Sequence, residues 1–164
     1  MLSIKKAGFK DLPLIQKLAQ EIWPSTYRDI LTPDQLAYML DKIYSLPSLQ
    51  HQFAILKHIS ILVYEDDKAV GFASYSANEN SSAYRLHKIY VLPQQQGSGT
   101  GKFILNQIIN SIRATGATSL ELNVNRHNKA KSFYEKFGFK VMKETDIDIG
   151  HGYYMNDYIM KLEL

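Results

Sequence analysis

Three glycines spaced one residue apart lie between a strand-like segment and a helix-like segment of this 164-residue chain. Residues 89–93 are largely apolar, residues 96–102 hold the glycines, and residues 103–114 have apolar side chains at helical spacing. A glycine-rich turn at the start of a helix leaves backbone N–H groups beside the positive end of the helix dipole, where a phosphate can bind. This arrangement predicts a fold that alternates strands with helices and a turn that binds a phosphate group.

Three glycine-rich patterns compete for this segment. A Walker A loop requires glycine at position 96 and Ser or Thr at position 103, where the chain has Gln96 and Phe103. A dinucleotide-binding fingerprint that begins at Gly97 requires a small residue at position 102, where the chain has Lys102. The pattern that fits is Gln-x-x-Gly-x-Gly, with its fixed residues at Gln96, Gly99 and Gly101.

A second segment, residues 125–139, reads NRHNKAKSFYEKFGF. Together with the glycine pattern, the strand before it and the helix after it, this segment resembles the GNAT superfamily of N-acetyltransferases. The resemblance extends over nearly the whole chain. It implies the acyl-CoA N-acyltransferase fold, with acetyl-CoA as co-substrate.

Composition limits the other classes of function. An apolar fraction of 45% and a charged fraction of 21% are ordinary for a globular protein, and the length predicts one domain over residues 1–164. A net charge of +3 is too small to indicate nucleic-acid binding. No stretch approaches the roughly 18 apolar residues of a membrane span, and because Lys5 and Lys6 interrupt the first apolar residues we expect no signal peptide there. We therefore expect a cytoplasmic protein that binds neither nucleic acid nor membranes. A homodimer is possible on this sequence.

The periodicity of apolar residues predicts the element order β-α-α-α-β-β-β-α-β-α-β-β, which is an α/β or α+β class. Predicted strands cover residues 2–6, 60–64, 69–76, 83–92, 120–125, 140–149 and 153–162. Two predicted helices begin after the capping residues Asp11 and Thr32. Three more cover residues 46–56, 103–114 and 128–137. The order is similar to the acetyltransferase fold, a mixed twisted sheet of about seven strands flanked by helices, with an additional early helix.

By the resemblance, the glycine turn binds the diphosphate of the coenzyme. Glycine allows the backbone to approach a ligand closely, and Thr100 and Lys102 would add a donor and a charge. The backbone of Ile89 and Val91 would bind the pantetheine arm as if it were an added strand. The cofactor-binding residues predicted here are Ile89, Val91, Gln96, Gly97, Gly99, Thr100, Gly101, Lys102 and Asn128. The alternative interpretation is an ordinary loop before a helix.

Residues 125–139 contain the predicted general acid. The resemblance implies that Tyr134 lies near the thioester sulfur and protonates the departing thiolate, since a phenol with a pKa of about 10 suits a thiol with a pKa of about 8.5. Tyr134 also lies on the apolar stripe of its helix and could be a core residue with a hydrogen-bonded hydroxyl. Asn128 precedes Tyr134 by six residues, one fewer than is usual in the family, so Asn125 is an alternative. Asn128 could also be a plain N-cap.

A general base must accept the proton of the attacking amine. His87 is the first candidate because it precedes the glycine turn and alternation predicts that it shares a strand face with Ile89 and Val91. Glu121 is the second candidate, and a structural role for a lone histidine is the other interpretation. The remaining histidines do not cluster at ligand spacing and the chain has no cysteine, so we predict no metal site.

Acceptor-binding residues are expected among early and late aromatic side chains. Trp23 and Tyr27 flank Pro24 in a predicted loop, and loops often carry binding residues. Tyr153, Tyr154 and Asp157 are weaker candidates, and an aromatic wall with one carboxylate suits a cationic amine. Packing roles are equally consistent with all five.

The resemblance implies direct attack by a primary amine, and the chain has no cysteine for an acyl-enzyme. Residues 23–40 and 152–158 are loosely similar to the branch that includes bacterial polyamine acetyltransferases, which favours a polyamine or other small amine as the acceptor. The alternatives are a protein N-terminus or lysine, an amino acid, an aminoglycoside, or a coenzyme A-binding module without turnover.

Overall fold

The computed structural model describes all 164 residues and has the predicted mixed α/β class. The strands are β1 (Leu2–Lys6), β2 (Ile59–Glu65), β3 (Lys68–Ala77), β4 (Ala83–Val91), β5 (Ser119–Asn125), β6 (Lys140–Gly150) and β7 (Tyr153–Glu163). The helices are α1 (Leu12–Tyr27), α2 (Pro33–Tyr44), α3 (Leu46–Ala54), α4 (Thr100–Arg113) and α5 (Ala130–Phe137). The predicted element order is confirmed.

All seven strands belong to one sheet in the order β1-β2-β3-β4-β5-β7-β6. The β4–β5 pair is parallel, whereas β1–β2, β2–β3, β5–β7 and β6–β7 are antiparallel. By their contacts the residues form two compact units, one of residues 1–76 and 87–108 and one of residues 77–86 and 109–164. The single domain over residues 1–164 stays a prediction.

An aromatic cluster in the first unit joins α1 and α2 to strands β3 and β4. The indole of Trp23 lies 5.3 Å from the ring of Tyr44 and 5.6 Å from the ring of Tyr90. Phe72 of β3 contacts the same two tyrosines at 5.9 and 5.7 Å. Burial of large apolar side chains away from water supplies most of the stabilisation of such a core.

The predicted loop around Pro24 was wrong, because α1 continues through it to Tyr27. Proline lacks the N–H for an intrahelical bond, which normally interrupts a helix. Here the apolar face continues, and Trp23 and Tyr27 are only 2% and 4% exposed. The hydroxyls of Ser25 and Thr26 donate to the carbonyl of Ile22 at 3.2 and 3.1 Å. Burial of the two aromatic side chains therefore outweighs the local cost of the proline.

Two predicted helix starts have different outcomes. Thr32 caps α2, since its hydroxyl oxygen accepts a hydrogen bond from the Gln35 N–H at 3.2 Å. Asp11 does not cap α1 with its side chain, because its carboxylate accepts from the Gly8 N–H at 2.8 Å. Asp11 instead closes the short turn that joins β1 to α1.

Strand β4 contains an extra residue relative to β3. The Asn78 N–H donates to the Ala83 carbonyl and the Leu92 N–H donates to the Val70 carbonyl, so the eight residue steps from Val70 to Asn78 are matched by nine steps from Ala83 to Leu92. Such a β-bulge changes the direction in which the following side chains point. His87 bonds Ser76 and Tyr90 packs on Phe72, and Ser76 and Phe72 lie on one face of β3.

The bulge corrects one prediction. His87 lies on the same face as Tyr90, three positions later, and not on the face of Ile89 and Val91. Uninterrupted alternation cannot place residues three apart on one face, so the extra residue lies between His87 and Tyr90.

The second unit has two different faces along β5. Leu120, Leu122 and Val124 are buried, and the residues between them are polar, as the alternation predicted. Helix α5 ends at Gly138 as predicted, where a φ of 121° is accessible mainly to glycine. On the polar side of the ladder, Asn125 of β5 lies opposite Asp157 of β7.

Candidate functional site

The glycine turn follows β4 and leads directly into α4. After the short helical turn Pro93–Gln95, the exposed residues 96–99 reverse the chain, and Phe103 donates the first helical hydrogen bond of α4 to the Gly99 carbonyl at 3.0 Å. The N–H groups of the first helical turn therefore have no partner within the helix. They lie next to an exposed turn, which is the arrangement that accommodates a phosphate.

Backbone conformation explains two of the three glycines. Gly97 and Gly99 have φ values of 80° and 84°, which other L residues rarely adopt. A Cβ at either position would meet no protein atom within 4 Å, so the space beside the turn is open. The turn thus has both the conformation and the open space that an anionic ligand requires.

Hydroxyl groups hold the turn in shape. The Ser98 hydroxyl donates to the Gln95 carbonyl at 2.5 Å and lies 3.0 Å from the Thr100 hydroxyl, which donates to the Gln95 side-chain oxygen at 3.2 Å. Thr100 is buried, whereas Lys102 is exposed on the first turn of α4. The side chain of Thr100 therefore supports the turn, and Lys102 is the cation available to a ligand.

Sequence reasoning missed Gly71, which positions the strand before the turn. A Cβ on Gly71 would lie 2.6 Å from the Tyr90 carbonyl oxygen and 3.0 Å from a methyl group of Val91. Only glycine lets β3 approach β4 this closely. The signal was present in the sequence as a lone glycine within a strand pattern.

The predicted base His87 has two neighbours that the sequence did not indicate. Its Nε2 lies 2.7 Å from the Ser76 hydroxyl, and its ring stacks on His58 at 3.8 Å with an angle of 7° between the planes. Burial and the nearby charge of Lys88 lower the pKa of His58 to about 4. His58 is therefore neutral at physiological pH, and the His87 ring is held from two sides.

Lys88 is a buried cation beside this pair. It is 9% exposed, its ammonium group contacts the Gln52 side-chain oxygen, and it lies 4.8 Å from the centre of the Tyr44 ring. Burial lowers the pKa of Lys88 to about 7. The alternation of residues along the strand does not predict that Lys88 is buried, because a lysine in a strand is usually exposed.

The second unit holds the predicted acid and both asparagine candidates. Tyr134 lies on α5, is 7% exposed, and packs on Phe133 and Phe139 at 5.3 and 5.5 Å. The Asn125 side-chain oxygen accepts from the His127 N–H, and that of Asn128 accepts from the Ala130 N–H, both at 2.9 Å. The N-cap of α5 is Lys129, without a side-chain cap, so Asn128 shapes the turn just before the helix and its amide nitrogen is the group it can offer to a ligand.

A polar cluster surrounds Asp157 in the same unit. Asp157 is 2% exposed, one of its oxygens lies 3.4 Å from the Asn123 amide nitrogen, and the other has no hydrogen-bond partner. Arg85 donates to the Asn123 side-chain oxygen at 2.6 Å. Burial raises the pKa of Asp157, although the bond from Asn123 and the charges of Arg126 and Arg85 oppose this shift.

The predicted acceptor residues fall in different places. Tyr27 shares a hydrogen bond of 2.9 Å with Tyr90 through the two hydroxyls, and the rings of Trp23 and Tyr27 pack at 4.6 Å with their planes tilted by 44°. Their contact with an acceptor stays a prediction. Tyr153 and Tyr154 are the first two residues of β7. Glu121, the second candidate for the general base, is half-buried and lies opposite Lys161.

No group of three or more His, Cys, Asp or Glu side chains is arranged to hold a metal ion. None of the helices is both long enough and apolar enough to cross a bilayer.

Comparison with protein families gives a match to the acetyltransferase (GNAT) domain over residues 28–159. A spermidine N(1)-acetyltransferase of Thermoplasma acidophilum is 27% identical over 150 residues, which is 88% of this chain and 91% of that protein. A ribosomal protein bS18-alanine N-acetyltransferase of Haemophilus influenzae is 31% identical over 98 residues, covering 60% of this chain and 62% of that protein.

Comparison with solved structures gives the same fold. The crystal structure of the PaiA N-acetyltransferase of Thermoplasma acidophilum in complex with coenzyme A superimposes with a TM-score of 0.84 at 24% identity, over 100% of this chain and 99% of that one.

Proposed function

The chain belongs to the GNAT family of acetyltransferases and is an N-acetyltransferase, and from this premise we propose that it transfers the acetyl group of acetyl-CoA to a polyamine or another small primary amine. The observation that carries the cofactor assignment is the exposed turn before α4, with positive φ at Gly97 and Gly99 and open space beside both. The spermidine acetyltransferase among its relatives supports a polyamine acceptor.

In this proposal the diphosphate of the coenzyme binds the backbone N–H groups of residues 97–102, and Lys102 contributes a charge. The pantetheine arm binds the backbone of Ile89 and Val91 in β4. Gly71 supports this role because it sets the distance from β3 to the carbonyl of Tyr90. Asn128 or Asn125 donates its side-chain amide to the same arm.

The proposed reaction is a direct attack of the amine nitrogen on the thioester carbonyl carbon. The C–N bond forms, the C–S bond breaks, and Tyr134 gives its phenolic proton to the leaving sulfur. Backbone N–H groups of β4 stabilise the negative charge that develops on the carbonyl oxygen.

His87 is the proposed base. Its ring is oriented by the Ser76 hydroxyl and by the stack with His58, whereas Glu121 has no comparable support among the contacts described above. A base whose orientation is fixed loses less entropy in the transition state than one on a mobile side chain.

A protein N-terminus is the second candidate acceptor, because a relative at 31% identity acetylates the alanine of a ribosomal protein. The test is release of coenzyme A thiol from acetyl-CoA with a panel of polyamines, amino acids, aminoglycosides and peptides that begin with alanine. We expect the highest kcat/KM with a polyamine. Preference for a peptide would replace the polyamine proposal, and coenzyme A binding without thiol release on any amine would indicate a binding module.

A further inference from the structure

The Asp157 carboxylate is a buried charge without a matching partner. It lies in the middle of β7, opposite Asn125 of β5, and only 2% of the residue is exposed. One of its two oxygens makes no hydrogen bond. Buried carboxylates are normally paired or multiply hydrogen-bonded, because an isolated buried charge is strongly destabilising.

The side chain of Asn123 is arranged to support this carboxylate. Arg85 donates to the Asn123 side-chain oxygen at 2.6 Å, which directs the Asn123 amide nitrogen toward Asp157 at 3.4 Å. That hydrogen bond is long, so Asn123 meets only part of the hydrogen-bonding capacity of one carboxylate oxygen. The unpartnered oxygen is left for another donor.

The two arginines nearby do not fill that position. Arg126 pairs with Asp146 at 2.7 Å and donates to the backbone carbonyls of Thr145 and Asp157 at 3.4 and 3.5 Å. Arg85 is bound to Asn123. Their charges lower the pKa of Asp157, but burial outweighs them and the net direction is upward. The carboxylate therefore lacks a cation in direct contact, although two are close.

We propose that the unpartnered oxygen of Asp157 binds a protonated amino group of the acceptor, namely the one that does not react. This inference rests on the proposed N-acetyltransferase function. The amine that attacks the thioester must be neutral, whereas a carboxylate pairs best with an amine that keeps its proton. The acceptor class is thus a diamine or longer polyamine.

The side chains that act on Asp157 are only partly buried, namely those of Arg85, Asn123 and Arg126. In this proposal the ligand reaches the carboxylate by displacing these side chains. A metal ion fits less well, because no cluster of three acidic or histidine side chains surrounds this position. An ammonium group needs fewer ligands and brings its own N–H donors.

The test compares a diamine with a monoamine of the same chain length. Putrescine and butylamine are assayed with the wild-type protein, with Asp157→Asn, and with Glu163→Gln, a matched control that removes an exposed carboxylate from the same strand. We expect Asp157→Asn to raise the KM for putrescine by about 30-fold or more, as loss of a buried charge partner does. Its kinetics with butylamine should stay within about twofold of wild type.

A binding measurement separates this site from turnover. Putrescine should raise the Tm of the coenzyme A-saturated wild-type and Glu163→Gln proteins and leave that of Asp157→Asn unchanged. If Asp157→Asn does not fold, Asp157→Ser takes its place. A putrescine preference or a putrescine-induced Tm shift that persists in the variant overturns the proposal, as does an equal loss with both amines. Absence of turnover with every amine would instead overturn the proposed function and leave the Tm test valid.

Discussion

Single residues determine the geometry of the glycine turn before α4, and a positive φ is the clearest case. Gly97 and Gly99 need glycine because of their backbone conformation and not because a side chain would collide with the protein. Their open surroundings leave the backbone N–H groups accessible. A side chain at Gly99 would project into the open space in which we propose that the coenzyme diphosphate binds.

Gly99→Ala should weaken coenzyme A binding by at least about tenfold, since it combines a strain of about 1–2 kcal/mol at φ 84° with a methyl group beside the turn. Gly116→Ala is the matched control, because Gly116 has a φ of 87°, equally open surroundings and a position at the other end of α4. Titration calorimetry measures both affinities. Equal affinities of the two variants would contradict the assignment of this turn.

Tyr134→Phe should lower kcat by about 100-fold or more, because it removes the proposed acid and keeps the ring that packs on Phe133 and Phe139. Coenzyme A affinity and Tm should change little. Steady-state kinetics with calorimetry on the same preparation separates these effects. Unchanged turnover would remove Tyr134 from the mechanism.

Lys88 makes stability depend on pH. Its pKa of about 7 in the folded protein lies below the value of about 10.4 expected for an unfolded chain. Between these values the unfolded state binds a proton that the folded state lacks, so the free energy of unfolding rises with pH, by at most about 1.4 kcal/mol per unit. Urea unfolding between pH 7 and 9 should show this slope in wild type and a smaller one in Lys88→Met. Equal slopes would mean that Lys88 keeps its proton on folding.

Elements bring together residues that their own periodicity does not connect. The bulge in β4 places His87 and Tyr90 on one face of the strand. There His87 contacts Ser76 and His58, and the hydroxyl of Tyr90 shares a hydrogen bond with that of Tyr27. Helix α1 continues through Pro24 because its apolar face has a partner in β4. Both features depend on neighbouring elements, and local sequence rules missed both.

Gly71→Ala tests the contact between β3 and β4. A Cβ 2.6 Å from the Tyr90 carbonyl oxygen must push backbone aside, so we expect a loss of stability of about 2–4 kcal/mol, in the range of severe overpacking. Coenzyme A affinity should fall as well, because the displaced residues include Val91. Urea unfolding and calorimetry measure the two effects. A variant with wild-type stability and affinity would show that β4 has no fixed position at this point.

At the scale of the whole molecule, a ligand that binds only the folded state raises its stability. Coenzyme A at 100 times its Kd should add about 2.7 kcal/mol to the free energy of unfolding. Differential scanning calorimetry should detect this as a rise in Tm for the wild-type protein, and as a rise about half as large or smaller for Gly99→Ala at the same concentration. The absence of any rise in wild type would contradict the proposed cofactor.

Much of the fold was accessible from the sequence because its signals are local. Alternation along β5, the helical stripe of α4, the Thr32 cap and the Gly138 stop each depend on residues within a few positions. The glycine turn is local in the same sense, since its φ values and hydroxyl contacts involve only residues 95–100. These features determined the fold class and the family without any tertiary information.

Tertiary structure alone decided the environments of the polar side chains. The pKa values of Lys88 and Asp157 are shifted mainly by burial, and burial depends on chain segments far away in sequence. The His58–His87 stack and the Arg85–Asn123–Asp157 chain join residues that are 29 to 72 positions apart. Desolvation and hydrogen bonding over such separations arise only when the sheet is assembled, so no local pattern could have indicated them.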